Sequence, residues 1–291
     1  MSDTRYKLEA AGFNLLMGLF KAMGRERASA VGGWLFRTVG PHISRHKKAL
    51  ASMARVMPEL SESEREAALS LMWDNLGRTA GEYPHLGSFT SIGPDPDIEV
   101  EGRDVLERFA EEGKAAIFVS GHFANWELMP LAVAQAGVEG AEVYRAPNNA
   151  AVDAWITRAR QTHIMARQVP KGPSGARELV KCVRSGVSLC MLADQKMNDG
   201  IESTFFGLPA MSPAAPATMS LRYDVPIVPV TFERVRGTKF RIRFWPPLDY
   251  AKTGDMHVDI AAVTAKVNGF LEDWIRQRPG MWLWLHNRWK K

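Results

Sequence analysis

An imidazole and a carboxylate stand five residues apart in Gly121-His122-Phe123-Ala124-Asn125-Trp126-Glu127. Such a pair suits general-base chemistry. A carboxylate bonded to one ring nitrogen fixes the tautomer and leaves the other nitrogen to draw a proton from a hydroxyl. Spacing alone is weak, because seven His and 32 acids supply roughly one His-x4-acid match by composition. Context gives it weight. The apolar run at 115–120 reads as a buried strand, and a helix is expected from about 126 to 135, so the pair falls in a strand-to-helix turn. On a single helix, five residues would turn the two side chains about 140° apart. With His122 in the loop and Glu127 in the first helical turn they are expected to meet, and the positive helix end favours the carboxylate. No GxSxG motif accompanies them, so the hydroxyl that His122 would activate is the substrate's own. The plain alternative is a helix-capping His beside a solvated Glu.

The other histidines, His42, His46, His85, His163, His257 and His286, are scattered and form no HExxH-like pair, so no metal is expected. Cys182 and Cys190 are the two cysteines. They exclude a disulfide framework and a Cys-based zinc site, and they suit a reducing compartment. A chain of 291 residues, 46% hydrophobic and 24% charged, has the composition of a globular protein, not a disordered, collagenous or coiled-coil one. It is long enough to bury a core that needs no covalent staple.

The elements that must position the pair follow from the hydrophobic patterning. Residues 1–90 read as helical, with a segment at 62–83 opened by Ser61 as its cap. Residues 87–96 form a Gly-, Ser- and Pro-rich loop. Short apolar runs then alternate with helical patterns: strands at 142–145 and 187–193, and helices at 150–166, 174–183, 213–223 and 257–277. Two further strands, at 226–232 and 239–245, are joined by a turn at 236–238. The expected fold class is α/β: a mixed, mostly parallel central sheet flanked by helices, with the late hairpin as an antiparallel edge and a helical N-terminal region. We expect residues 1–90 to be a basic, membrane-associating region and residues 91–291 to form one α/β core. Sites in such sheets gather at the carboxyl ends of strands.

Charge is unevenly spread. The net charge is +5, yet residues 1–57 carry ten basic residues against Asp3, Glu9 and Glu26, which leaves the remainder at −2. A basic end points to an anionic partner, and an anionic membrane surface is expected. Leu8, Gly12, Leu15, Leu19 and Met23 recur at helical spacing, as do Val31, Trp34, Leu35 and Val39 before Pro41. An apolar stripe with a basic flank fits a helix lying in a bilayer interface; a surface helix docked on the protein's own core fits equally well. Residues 203–221 are the longest uncharged stretch, but Pro209, Pro213 and Pro216 argue against a spanning helix there. Ala28-Ser29-Ala30 has the look of a cleavage site, but Lys21, Arg25, Glu26 and Arg27 crowd the residues before it, so no signal peptide is expected. The aromatic, basic tail (Trp282, Trp284, His286, Arg288, Trp289, Lys290, Lys291) suits a membrane interface or ordinary core packing. No nucleic-acid module is recognisable, and no nucleic-acid partner is expected.

Five blocks, "GHFANWE", "VYRAPNN", "MLADQ", "FFGLPA" and "PGMWLWLHNRWK", occur in an order that resembles the bacterial lipid A biosynthesis acyltransferases, typified by the lauroyl and myristoyl enzymes. The resemblance runs from about Arg78 to Lys290. It implies transfer of a fatty acyl group from acyl carrier protein to a hydroxyl of a lipid A precursor, with no cofactor, at the cytoplasmic face of the inner membrane and in peripheral or monotopic association. It also implies His122 as general base, Glu127 as its orienting partner, and Arg145, Asn125, Asp194 and Gln195 as substrate-binding or oxyanion-stabilising residues. Read alone, Arg145 is a surface ion pair and Asp194 a turn cap. Glu202 and Ser203 stand where many relatives carry apolar residues, and "PGMWLW" lacks a polar residue that often follows the proline. These departures bear on the acyl chain and the acceptor, since similar enzymes also acylate mannosylated phospholipids. Two rival readings are another His-x4-acid lipid acyltransferase and a non-catalytic basic membrane-binding protein.

Overall fold

Ile117-Phe118-Val119-Ser120 has four consecutive buried side chains, the mark of a strand covered on both faces. In a computed structural model, which describes residues 3–289, this strand lies at the centre of the molecule. Helices α1 (Asp3–Met23), α2 (Arg25–Val39), α3 (Ser44–Val56) and α4 (Glu62–Glu82) precede β1 (Ile98–Glu101) and α5 (Arg103–Glu112). Then follow β2 (Ile117–Ser120), α6 (Leu128–Gln135), β3 (Gly140–Tyr144), α7 (Ala150–His163), β4 (Arg167–Pro170), α8 (Pro173–Arg184) and β5 (Ser188–Leu192). A hairpin of β6 (Ile201–Phe205) and β7 (Leu208–Ser212) leads to α9 (Ala215–Tyr223), β8 (Ile227–Arg236), β9 (Lys239–Phe244) and α10 (Met256–Gln277).

Seven strands form one mixed sheet in the order β1-β9-β8-β2-β5-β3-β4. Strands β8, β2, β5, β3 and β4 are parallel, β9 runs antiparallel to β8, and β1 pairs parallel with β9. The expected α/β class holds, but the edge does not. The late hairpin is internal on its β9 side, because β1 covers it; its Ile-Glu-Val-Glu sequence is too short and too charged to stand out as a strand. Strand β4 and the β6–β7 hairpin also escaped the sequence reading. That hairpin turns on Phe206 and Gly207, both at positive φ (54° and 70°), as a two-residue turn of the type I′ kind requires.

The N-terminal helices are held to the core by backbone contact. A Cβ on Gly77 would stand 2.1 Å from the Gly32 carbonyl oxygen, and one on Gly32 2.2 Å from that of Gly77. Gly81 meets the Ala28 carbonyl in the same way, so α2 and α4 cross at a distance only glycine permits. Helix α4 opens on the expected cap, a reciprocal pair between Ser61 and Glu64. Its far end carries the buried Glu82, which is bonded by Arg234 from β8, Ser29 from α2 and Asn125 from the turn after β2. Phe13, Leu16, Met17 and Phe20 dock α1 against Ala80, Tyr83 and Trp155. The stripe read from the sequence is the opposite face: Leu8 is 70% exposed, Leu15 67% and Leu19 50%, and Trp34 of α2 is 58% exposed. Among the described residues no helix is long and apolar enough to cross a membrane.

Part of the tail packs in the core. Trp282, Trp284 and Arg288 are buried; Arg288 donates to the Met211 carbonyl and the Ser212 hydroxyl, and Trp289 donates to the Phe205 carbonyl. Burial lowers the Arg288 pKa to about 10. Lys290 and Lys291 lie outside the described residues.

Candidate active site

Strand β2 delivers His122 at its carboxyl end, beside the carboxyl ends of β5 and β3. The turn that follows is held in an uncommon shape. Ala124 has φ of 39°, a left-handed conformation that a residue with a Cβ adopts at a cost. Its neighbours enforce it: the Ala124 N–H donates to the Met281 carbonyl, and the Thr79 hydroxyl donates to the Ala124 carbonyl. The segment 281–283 runs against this turn, with a bridge between Phe123 and Trp282 and the Leu283 N–H on the His122 carbonyl.

The carboxylate that meets His122 is Asp194, not Glu127. Asp194 follows β5; its Oδ1 lies 2.8 Å from His122 Nδ1, and its Oδ2 accepts from the His122 backbone N–H (3.0 Å) and the Trp282 indole (2.8 Å). Burial alone would raise this carboxyl, but the His122 charge and these donors hold it well below the usual carboxylate range. With a carboxylate on Nδ1, the His122 ring keeps its hydrogen there and presents Nε2 as the accepting nitrogen.

Glu127 has other commitments. The Arg160 guanidinium of α7 grips both of its oxygens (2.8 and 2.6 Å), and the Trp126 indole donates to one of them. It is the cap residue before α6, whose first turn begins one residue later. The expectation that Glu127 touches His122 therefore fails for a steric reason. The left-handed kink at Ala124 turns the backbone so that Trp126 packs against the imidazole (ring centres 5.2 Å apart) and Glu127 lies behind it. Arg160 also reaches Glu142 of β3 at 3.3 Å, so one guanidinium serves two buried carboxylates. Burial and the Glu127 charge outweigh Arg160 and raise Glu142 to about 7, while the two carboxylates drive Arg160 upward against its burial.

A cavity of about 220 Å³ opens on this group, lined by His122, Trp126, Glu142, Arg145, Gln195 and His286 among others. Arg145 is exposed at its wall, and Gln195 lies between His122 and His286. Asn125 does not line it. Asn125 is fully buried, donates to Glu82 and accepts the Glu127 N–H, so its amide braces the turn. Against this cavity lies a second, largely apolar one of about 270 Å³ between α8, α9 and the sheet, walled by Leu179, Met191, Met197 and Pro213. Val143, Lys171 and Leu192 line both. Among the described residues no three His, Cys, Asp or Glu side chains converge to hold a metal ion.

Sequence reasoning missed Arg160, Glu142, Trp282 and His286 as site residues. No local spacing marks Arg160, which reaches Glu127 from 33 residues away. Trp282 and His286 sat in a recognisable terminal block, and that was the available signal.

The arrangement is a buried carboxylate, an imidazole and an apolar recess, which can activate a hydroxyl beside an aliphatic chain. Comparison with known proteins shows the family. The family model described as bacterial lipid A biosynthesis acyltransferase matches residues 2–291. The chain is similar to the lipid A biosynthesis myristoyltransferase of Escherichia coli (strain K12), at 23% identity over 83% of this chain and 74% of that protein. It is also similar to lipid A biosynthesis acyltransferase 1 of Shigella flexneri, with the same identity and coverage. The chain belongs to the bacterial lipid A biosynthesis acyltransferase family.

Proposed function

We propose that this protein moves a fatty acyl group from an acyl carrier protein thioester to a hydroxyl of a lipid A precursor. The observation that carries the proposal is the His122–Asp194 pair at a cavity that adjoins an apolar recess. The acyl chain occupies the recess, which leaves its thioester carbonyl in front of His122. The acceptor hydroxyl gives its proton to Nε2 as its oxygen attacks, and the departing sulfur takes that proton back. General-base assistance of this kind is worth about 10²–10⁴ in rate.

Family membership supports the lipid acceptor, and the remaining roles are read from geometry. Asp194 orients the imidazole. Glu127 and Glu142 fix Arg160 and, through Trp126, the wall beside the ring. Exposed Arg145 suits a phosphate of the acceptor. Gln195 lies over the imidazole, and Asn125 supports the turn. No cofactor enters this scheme. The exposed Leu8, Leu15 and Leu19 with a basic N-terminal region support attachment to an anionic bilayer from one side, here the cytoplasmic face of the inner membrane.

The test is His122→Ala in the full-length protein, assayed with acyl carrier thioester and a tetraacylated lipid A precursor, with product read by mass spectrometry. Transfer should vanish while thermal stability and vesicle binding persist. Turnover near the parent rate would end the proposal.

A further inference from the structure

We propose that a groove between α1 and α7 is a binding site for the phosphodiester headgroup of an anionic phospholipid in the bilayer surface. The inference goes beyond acyl transfer and rests on the reading that α1 attaches to such a bilayer. The groove has a volume of about 410 Å³ and lies outside the catalytic cavity. Arg158 and Ala159 line the groove, whereas Arg160 lines the cavity. Arg158 and Arg160 stand about 200° apart on α7, so the helix separates the two sites.

The groove wall supplies basic side chains and no acidic one. Lys21 comes from α1, Arg158 and His163 come from α7, and among the described residues the lining includes no Asp or Glu. All three basic side chains are exposed, and none makes an ion pair or a side-chain hydrogen bond among the described residues. By contrast, Arg25 is held by Asp97, Arg78 by Asp74 and Arg160 by Glu127. The His163 ring is seated on the chain, since a Cβ on Gly87 would stand 2.5 Å from its Nδ1. Trp155 forms an apolar part of the wall, fixed between Phe13 (ring centres 5.2 Å apart) and Tyr83 (5.9 Å). Two long cations and an imidazole around one opening fit the oxygens of a phosphate. A lining without carboxylates leaves the amine of a zwitterionic headgroup without a counterion, which favours an anionic lipid.

Position on α1 completes the case. Gly18 lies about 80°, and Asn14 about 120°, round the helix from the middle of the exposed Leu8, Leu15 and Leu19 stripe. Both residues line the groove, and a Cβ on Gly18 would meet nothing within 4 Å, so the groove is open along that flank. A bilayer that takes the three leucines into its acyl boundary brings its headgroup layer to the same flank. The apolar stripe and the basic groove then engage one lipid surface together.

The experiment is co-sedimentation of the full-length protein with vesicles of phosphatidylcholine alone and of phosphatidylcholine with phosphatidylglycerol in equal parts. It compares the parent with Lys21→Gln plus Arg158→Gln and with Gly18→Gln, alongside thermal melts and acyl transfer on detergent-dispersed substrates. A cation at an anionic surface contributes about fivefold to binding, so the double variant should lose about 25-fold on the phosphatidylglycerol vesicles. Gly18→Gln keeps every charge and fills the opening, and it should lose at least fivefold. Transfer in detergent should stay within threefold for both. Parent-like binding by Gly18→Gln overturns the proposal, because the cations would then act as diffuse charge. So does a double variant that melts lower yet binds like the parent, since its cations would serve only the carboxyl ends of α1 and α7. A loss of detergent-phase transfer in step with binding would assign the groove to the acceptor and overturn it as well. If the parent binds phosphatidylglycerol vesicles and both variants match it, this inference alone fails; if the parent binds neither vesicle, the attachment reading fails with it.

Discussion

Asp194→Asn separates the two carboxylates that compete for the role of His122's partner. The replacement has the same shape and leaves an oxygen where Oδ2 accepts from the His122 backbone N–H and the Trp282 indole. The new amide nitrogen then falls at the Oδ1 position, 2.8 Å from His122 Nδ1. A donor there forces Nδ1 to accept, moves the ring hydrogen to Nε2, and turns a proton acceptor into a donor in front of the acceptor hydroxyl. Where a His–Asp pair has been reversed in this way the loss is about 10⁴ in kcat, which corresponds to ~5.5 kcal/mol of transition-state stabilisation. Stability should drop far less, by about 1–3 kcal/mol, because the two remaining hydrogen bonds lose only their charge assistance. Glu127→Gln should show the reverse balance. It removes half of a buried ion pair with Arg160, on the order of 3 kcal/mol, and leaves the His122 tautomer untouched. The assay is single-turnover acyl transfer by mass spectrometry, paired with thermal melts of both variants. If Asp194→Asn keeps a kcat within tenfold of the parent while Glu127→Gln loses 10⁴ at unchanged melting temperature, the spacing reading was right and the contact geometry misleads.

Glu142 gives the fold a pH dependence of known sign. Its carboxyl is raised from 4.5 to about 7, so the unfolded chain releases the proton first; this contribution is intact below about 4.5 and is lost as pH climbs to about 7, by ~3 kcal/mol. Glu142→Gln should flatten that slope in melts between pH 4.5 and 7.5, and an unchanged slope would count against the shared-guanidinium cluster. On the membrane side, changing both Leu15 and Leu19 to Glu removes two exposed leucines, each worth ~1.5–3 kcal/mol when buried. Co-sedimentation with anionic vesicles should weaken at least tenfold, and equal binding would place the attachment elsewhere.

The architecture was legible where patterning is strong. Continuous apolar runs marked β2 and β5, and Ser61 marked the start of α4. It was illegible where a strand is short and charged, as in Ile98–Glu101, or where pairing depends on a turn, as at Phe206-Gly207. His122 was found because it sits at a predicted strand end. Its contact partner was not, since five residues of spacing say nothing about a left-handed Ala124 or about Asp194 arriving from another strand 72 residues on. The Arg160 pair with Glu127 is likewise a long-range contact with no local signal. The exposed leucine stripe shows a further limit: periodicity identified a face of α1, and only the docking of Phe13, Met17 and Phe20 shows that this face looks outward.

The strand-like run from Met281 to Leu283 meets Ala124 and His122 through main-chain bonds, and the Trp282 indole holds Asp194. Those residues leave the ribosome after all of the sheet. A nascent chain thus has His122 and its recess before it has the run that braces the turn around them.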